Sequence, residues 1–195
     1  MRILGAVIAG GRSSRMGGEE KALVDFGDRP LISHIVGVLQ KQVNLVVINA
    51  NGDPARFDGM GCNIIGDLPA YSETPLAGVA AALTYGAAQE FDAVVTTPSD
   101  TPFLPPDLVE RLSGDHAAIA RSDGQDHYLT GFWPVALAQV LDDANAEGAL
   151  KRMQDWVTHA EARKVEWSVL PFDPFFNVNS PHDLALARYW LETRL

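Results

Sequence analysis

Short apolar runs bounded by turn-forming residues recur along the first half of the chain. Residues 3–9, 45–48 and 93–97 are each almost wholly apolar and flanked by Gly, Asn, Asp or Pro, the pattern of strands buried on both faces. Between them the period changes to that of a helix. Residues 30–40 place Leu31, Ile35, Val38 and Leu39 at helical spacing, and residues 76–88 form an Ala-rich run suited to close packing. Strands alternating with helices predict an α/β fold, a three-layer, doubly wound, mostly parallel sheet covered on both faces. Residues 62–65 read as a further short strand feeding Asp67. Beyond Pro105 and Pro106 the pattern predicts a helix over 107–112, strands over 117–120 and 128–133, helices over 135–146 and 149–157, and a strand over 175–178. Ser180 is a plausible N-cap with Pro181 at the first helical position, which predicts a last helix from Pro181 to about Leu191. There is no repeat, low-complexity tract or long linker.

Composition narrows the picture. A chain of 195 residues with 47% hydrophobic content can build one sizeable core, so a single domain over residues 1–195 is expected. No apolar run reaches the roughly 18 residues of a membrane span, and the first strand runs into a glycine loop, so a soluble, unexported, cytoplasmic protein is expected. The one cysteine, Cys62, excludes an internal disulfide and reads as a small core hydrophobe. A net charge of −10 argues against sequence-independent binding to DNA or RNA, which depends on neutralising phosphates. An acidic chain binds an anion only where donors and cations are concentrated locally.

That concentration lies directly after the first strand, in residues 10–21. Gly10, Gly11, Gly17 and Gly18 let the backbone turn tightly and bring N–H groups close to an anion, and Arg12, Arg15 and Lys21 gather three of the 15 basic residues. In a doubly wound sheet ligands bind beyond the carboxyl ends of the strands, where this loop begins. The dinucleotide spacing G-x-G-x-x-G is not met by Gly5, Gly10 and Gly11. The Walker A pattern is not met either, since Lys21 lies between Glu20 and Ala22. The loop suits polyphosphate without being either of those motifs. Asp100, just past the 93–97 strand, emerges at the same edge. A carboxylate there can share Mg²⁺ with phosphate oxygens, so Asp100 is the candidate metal ligand.

Ala9-Gly10-Gly11, then Arg15-Met16-Gly17 and Lys21, resembles the signature of the molybdenum cofactor guanylyltransferases and their MobA-like nucleotidyltransferase relatives, with Glu20 where that family usually has Asp. Further matches follow in order: Asp100-Thr101-Pro102 with Ser99 in place of a usual cysteine, Pro75-Leu76-Ala77-Gly78 with Thr74 in place of a usual Gly, and Asn177-Val178-Asn179-Ser180-Pro181 ahead of Asp183-Leu184. The resemblance is dense up to Thr101 and sparse from Arg111 to Phe175. It implies a Rossmann-like nucleotidyltransferase fold with Ile8, Ala9, Gly10, Gly11, Lys21, Asn49, Asp67, Gly78, Asp100, Asn177 and Asn179 around nucleotide, metal and acceptor phosphate. Read without it, Asn49, Asp67, Asn177 and Asn179 are ordinary turn and cap residues, and Gly78 is equally well helix-entry chemistry.

The implied reaction moves GMP from GTP to the terminal phosphate of molybdopterin and releases pyrophosphate. Alignment and charge stabilisation supply most of such catalysis. Asp100 would hold Mg²⁺, while Arg15 and Lys21 neutralise charge on the α-phosphate and on pyrophosphate. An acceptor phosphate is already ionised at neutral pH and needs no general base, and none of His34, His116, His127, His159 or His182 stands out as one. Residues 121–133 are the candidate acceptor segment, where Tyr128 or Trp133 would stack on a pterin or simply pack in the core. The implied partners are GTP and the molybdopterin cofactor, with transient contact to other molybdenum cofactor biosynthesis proteins or acceptor enzymes, and no nucleic acid or membrane. A CTP-using sister enzyme, an enzyme activating a sugar phosphate, and a non-catalytic binding module are the alternatives.

Overall fold

The strand Ile3–Ile8 (β1) has no polar position because both of its faces are covered. Ile3 and Val7 pack into the core on one side of the sheet, and Leu4, Ala6 and Ile8 into the core on the other. The computed structural model describes residues 1–10, 15–16, 19–71 and 74–193, with the backbone alone at 15, 16 and 19. After β1 come two ribbons of two-residue strands, Arg15–Met16 with Glu19–Glu20 and Asp25–Phe26 with Arg29–Pro30. Helix Leu31–Leu39 (α1) then leads to strand Leu45–Asn49 (β2) and strand Asn63–Ile65 (β3). Helix Pro75–Ala88 (α2) precedes strand Ala93–Pro98 (β4) and the short helix Leu108–Leu112 (α3). Strands Ala118–Ser122 (β5) and Gln125–Pro134 (β6) are followed by helices Leu137–Ala146 (α4) and Met153–His159 (α5). Strand Arg163–Trp167 (β7) and helix Pro181–Thr193 (α6) close the order.

The seven strands form one sheet in the order β7-β5-β6-β4-β1-β2-β3. Only β6 runs antiparallel to its neighbours, so the sheet is mostly parallel, as the sequence predicts. Helices α1 and α3 supply the core on one face, while α2, α4 and α5 cover the other. A smaller apolar cluster, built from Val24, Phe26, Leu31, Val178, Leu184 and Ala187, docks α6 beside α1. Cys62 is half-buried and packs against the core. No helix among the described residues is long and apolar enough to cross a membrane.

Three expectations need correction. The strand expected over 175–178 is irregular chain: Phe176 N–H donates to the Asp173 carbonyl in a turn, and Val178 N–H donates to the Asp100 carbonyl. Asn177 and Asn179 therefore do not share the face of a strand. The strands expected over 117–120 and 128–133 are one hairpin, closed by Asp123 and Gly124 with φ of 45° and 75°, the left-handed pair that a two-residue turn requires. Strand β7 was not expected at all.

Candidate active site

Strand order reverses between β1 and β4, which opens a crevice at the carboxyl edge of the sheet. The end of β1 is tied to both neighbours there: Ala9 N–H donates to the Asn49 carbonyl at 2.8 Å, and Ser99 N–H donates to the Ile8 carbonyl at 3.1 Å. Two polar clusters flank this strand end.

The first cluster is centred on Asp67. Asn49, with no exposed surface, donates its side-chain amide to Asp67 Oδ1 at 3.0 Å and to the Ile65 carbonyl at 3.3 Å. Two acceptors fix the orientation of that amide. Asn51 closes a reciprocal pair, its Nδ2 donating to Asp67 Oδ2 at 2.7 Å while Asp67 N–H donates to Asn51 Oδ1 at 3.0 Å. Asn49 thus stands behind Asp67 and aims it. Gly78 makes the room, while Gly10 lies at ordinary contact distance. A Cβ on Gly10 would lie 3.6 Å from Asp67 Oδ2, and a Cβ on Gly78 would lie 2.3 Å from Asn49 Oδ1 and 2.9 Å from the Ile8 side chain. Gly78 is therefore required by the fit of α2 against Asn49, a stronger demand than helix entry.

The second cluster is centred on Lys21, which is 7% exposed. Its ammonium donates to Asp100 Oδ2 at 2.6 Å and to Asn179 Oδ1. An ammonium has three donors, so among the described residues one remains for a ligand oxygen. Asp100 Oδ1 is buried and has no partner among the described residues. A buried carboxylate oxygen without a donor is costly unless something fills its place, and a hard cation suits it. No group of three His, Cys, Asp or Glu able to hold a metal exists among the described residues, so any ion here would draw most of its ligands from substrate and water.

Of the sequence candidates, the fold brings Lys21, Asp100 and Asn179 together on one side of Ile8, Ala9 and Gly10, and Asn49, Asp67 and Gly78 on the other. Asn177 makes no side-chain hydrogen bond among the described residues. Gly11 and the Arg15 side chain lie outside the described residues, although backbone pairing of Arg15 with Glu20 sets Arg15 beside Lys21 in the chain path.

Residues 5–163 match the family model of the MobA-like NTP transferase domain. The chain belongs to the MobA-like NTP transferase family. Among its relatives, a molybdenum cofactor guanylyltransferase of Rhodobacter capsulatus is 44% identical over 96% of this chain and 95% of that protein. Another of that name from Cereibacter sphaeroides is 42% identical over 96% of each chain. The fold matches a molybdopterin-guanine dinucleotide biosynthesis protein A of Archaeoglobus fulgidus with a TM-score of 0.69 at 24% identity, over 97% of this chain and 99% of that one.

One residue beside this MobA-like site, Arg56, escaped the sequence reading. Arg56, on the turn Pro54–Phe57, bonds the Glu20 carboxylate and the carbonyls of Asn51 and Asp53. It links the residue before Lys21 to the strand end that carries Asn51. An isolated arginine in a Pro-containing turn gives no periodic signal, and Glu20 attracted notice only as a replacement for Asp.

Proposed function

We propose that this MobA-like enzyme transfers GMP from GTP to the terminal phosphate of molybdopterin with Mg²⁺ as its cofactor. The observation that carries the reading is the Lys21–Asp100–Asn179 cluster at the strand edge beside the Asp67 cluster, in a chain that shares more than two-fifths of its residues with guanylyltransferases over nearly its whole length. An oxygen of the acceptor phosphate attacks the α-phosphorus, the bond from that phosphorus to the bridging oxygen breaks, and pyrophosphate leaves with the bond electrons.

The residues divide the work by chemistry. Asp67 keeps acceptor capacity beyond its two asparagine partners, and a carboxylate matches the adjacent N–H and amino donors on one edge of guanine; cytosine offers only an amino group there. Lys21 directs its remaining N–H to a phosphate oxygen. Asn179 and Asp100 hold that ammonium in place, so no reorganisation is needed as charge develops. Arg15 adds a second cation to the same path. Asp100 would hold Mg²⁺ through its free oxygen, and the ion when bound supplies Lewis-acid stabilisation of phosphate charge. On this reading the enzyme acts in the cytoplasm, the compartment that supplies GTP.

The test is pyrophosphate release from GTP, CTP, ATP and UTP in turn, each with Mg²⁺ and molybdopterin. Release with GTP alone is expected. Release with CTP in preference to GTP would assign the chain to cytidylyl transfer, and release with none would remove the transfer reading.

A further inference from the structure

The buried polar group that this mechanism leaves unused is a chain of three side chains from distant parts of the sequence. Ser122, 1% exposed at the end of β5, lies 2.6 Å from His127 Nε2 on β6 and donates to Asp173 Oδ1 at 2.9 Å. The proton count settles the direction. A carboxylate only accepts, so the single hydroxyl proton of Ser122 goes to Asp173, and His127 must then donate from Nε2 to the Ser122 oxygen. Burial lowers the His127 pKa, against the opposing pull of Asp173, Asp126 and Glu166, which favours the neutral ring carrying its proton on Nε2.

What this relay fastens is the irregular segment leading to Asn179. Asp173 Oδ1 also accepts from Phe175 N–H at 2.9 Å, and the Phe175 ring, 1% exposed, packs on His127 at 4.7 Å and edge-on to Trp167 at 5.3 Å. Three residues later Val178 N–H donates to the Asp100 carbonyl at 2.9 Å, and the next residue is Asn179. From there onward Asp183 Oδ2 accepts from the N–H groups of Asn179 and Ser180. The segment has no ladder of its own, so these anchors fix it. Register between β5 and β6 breaks immediately after His127, where its next pair is Gly131 with Ile119, and such an irregularity re-aims side chains at a strand end.

We propose that His127 is a positioning residue for transfer: through Ser122 and Asp173 it sets the path of residues 173–179, and so the contact of Asn179 with Lys21. The inference rests on the phosphate role given to that cluster above. A displacement of about 1 Å at a reacting centre costs up to roughly a hundredfold in rate, with little effect on binding made elsewhere.

The experiment compares His127→Ala, His127→Gln, Ser122→Ala and the unaltered enzyme by steady-state kinetics with GTP and molybdopterin, by calorimetric titration of GTP, and by hydrogen exchange of the amides of residues 173–179. Gln returns an N–H near the Nε2 position. Expected are a drop in kcat of about tenfold or more for His127→Ala and Ser122→Ala, GTP affinity within about threefold, faster exchange over 173–179, and recovery of both rate and protection in His127→Gln. Unchanged kcat in His127→Ala, or a His127→Gln variant as impaired as His127→Ala, would overturn the proposal. An unaltered enzyme that transfers no GMP would instead defeat the functional reading, and the exchange of residues 173–179 would still decide whether His127 sets their path.

Discussion

Lys21 is held by two partners among the described residues, Asp100 and Asn179, so its substitutions separate charge from geometry. Lys21→Ala is expected to lower transfer by about a hundredfold or more, the scale of losing a preorganised donor at a phosphate. Lys21→Arg should fail to restore it, because a planar fork cannot replace a point charge held between Asp100 and Asn179. Asp100→Asn should cut transfer at least as deeply and abolish its response to Mg²⁺. Its fold should survive: an altered pair with Asp100 19% exposed costs about 2 kcal/mol, or about 4–8 °C in the thermal midpoint of a chain this long. Parallel pyrophosphate and melting assays check all three; a loss of activity that merely tracked a loss of fold would count against the assigned roles. At this scale the sequence singled out Lys21 and Asp100 through glycine-loop and strand-end chemistry, and the structure pairs them. The resemblance implied Asn49 as a nucleotide contact, and the structure shows that side chain buried with its amide on Asp67.

Gly78 and Gly37 both sit in helices, and their surroundings predict opposite outcomes. A methyl on Gly78 must displace Asn49 and Ile8, so Gly78→Ala should destabilise the protein by about 1–3 kcal/mol and raise KM for GTP as Asp67 loses its support. A methyl on Gly37 meets only the far end of Arg29 at 3.6 Å, so Gly37→Ala should stabilise by up to about 1 kcal/mol and leave kinetics unaltered. Denaturant titration with GTP kinetics distinguishes them, and similar behaviour of the two would refute the packing argument. The same contrast explains which elements were legible. β1, β2 and β4 lie inside the sheet and are apolar on both faces, so their pattern is unambiguous. β7 reads Arg-Lys-Val-Glu-Trp because it is an edge strand with most of its side chains exposed, and solvent asks for no periodicity there. The run at 175–178 mimics a strand because Phe175 and Val178 are buried, yet its hydrogen bonds go to a turn and to the Asp100 carbonyl.

For the molecule as a whole, acid sensitivity follows from two histidines. Burial depresses His34, whose ring bonds the Phe26 carbonyl at 2.8 Å, and burial likewise depresses His127. A histidine with its folded pKa below the unfolded value takes up more protons unfolded, so stability is complete above about pH 6.5 and declines as pH falls through the folded values. His34→Gln, which can still donate to Phe26, should flatten that decline; melting curves between pH 7.5 and about pH 5 with an unchanged slope would exclude His34 as a contributor. The charge of −10, read first as evidence against nucleic acid, leaves the loop of residues 10–21 as the place where cations gather. The segments proposed for the acceptor side were the least legible, since neither the β5–β6 hairpin nor the irregular chain after β7 follows a repeating pattern. That hairpin turns on two residues, Asp123 and Gly124, at the rim, and the first residues of β6 run past the end of β4. Chain can be inserted at this tip without shifting any other strand, because Asp123 and Gly124 pair with none. The molecule therefore has, at the same edge of the sheet that carries Asp100, one turn free to diversify in length.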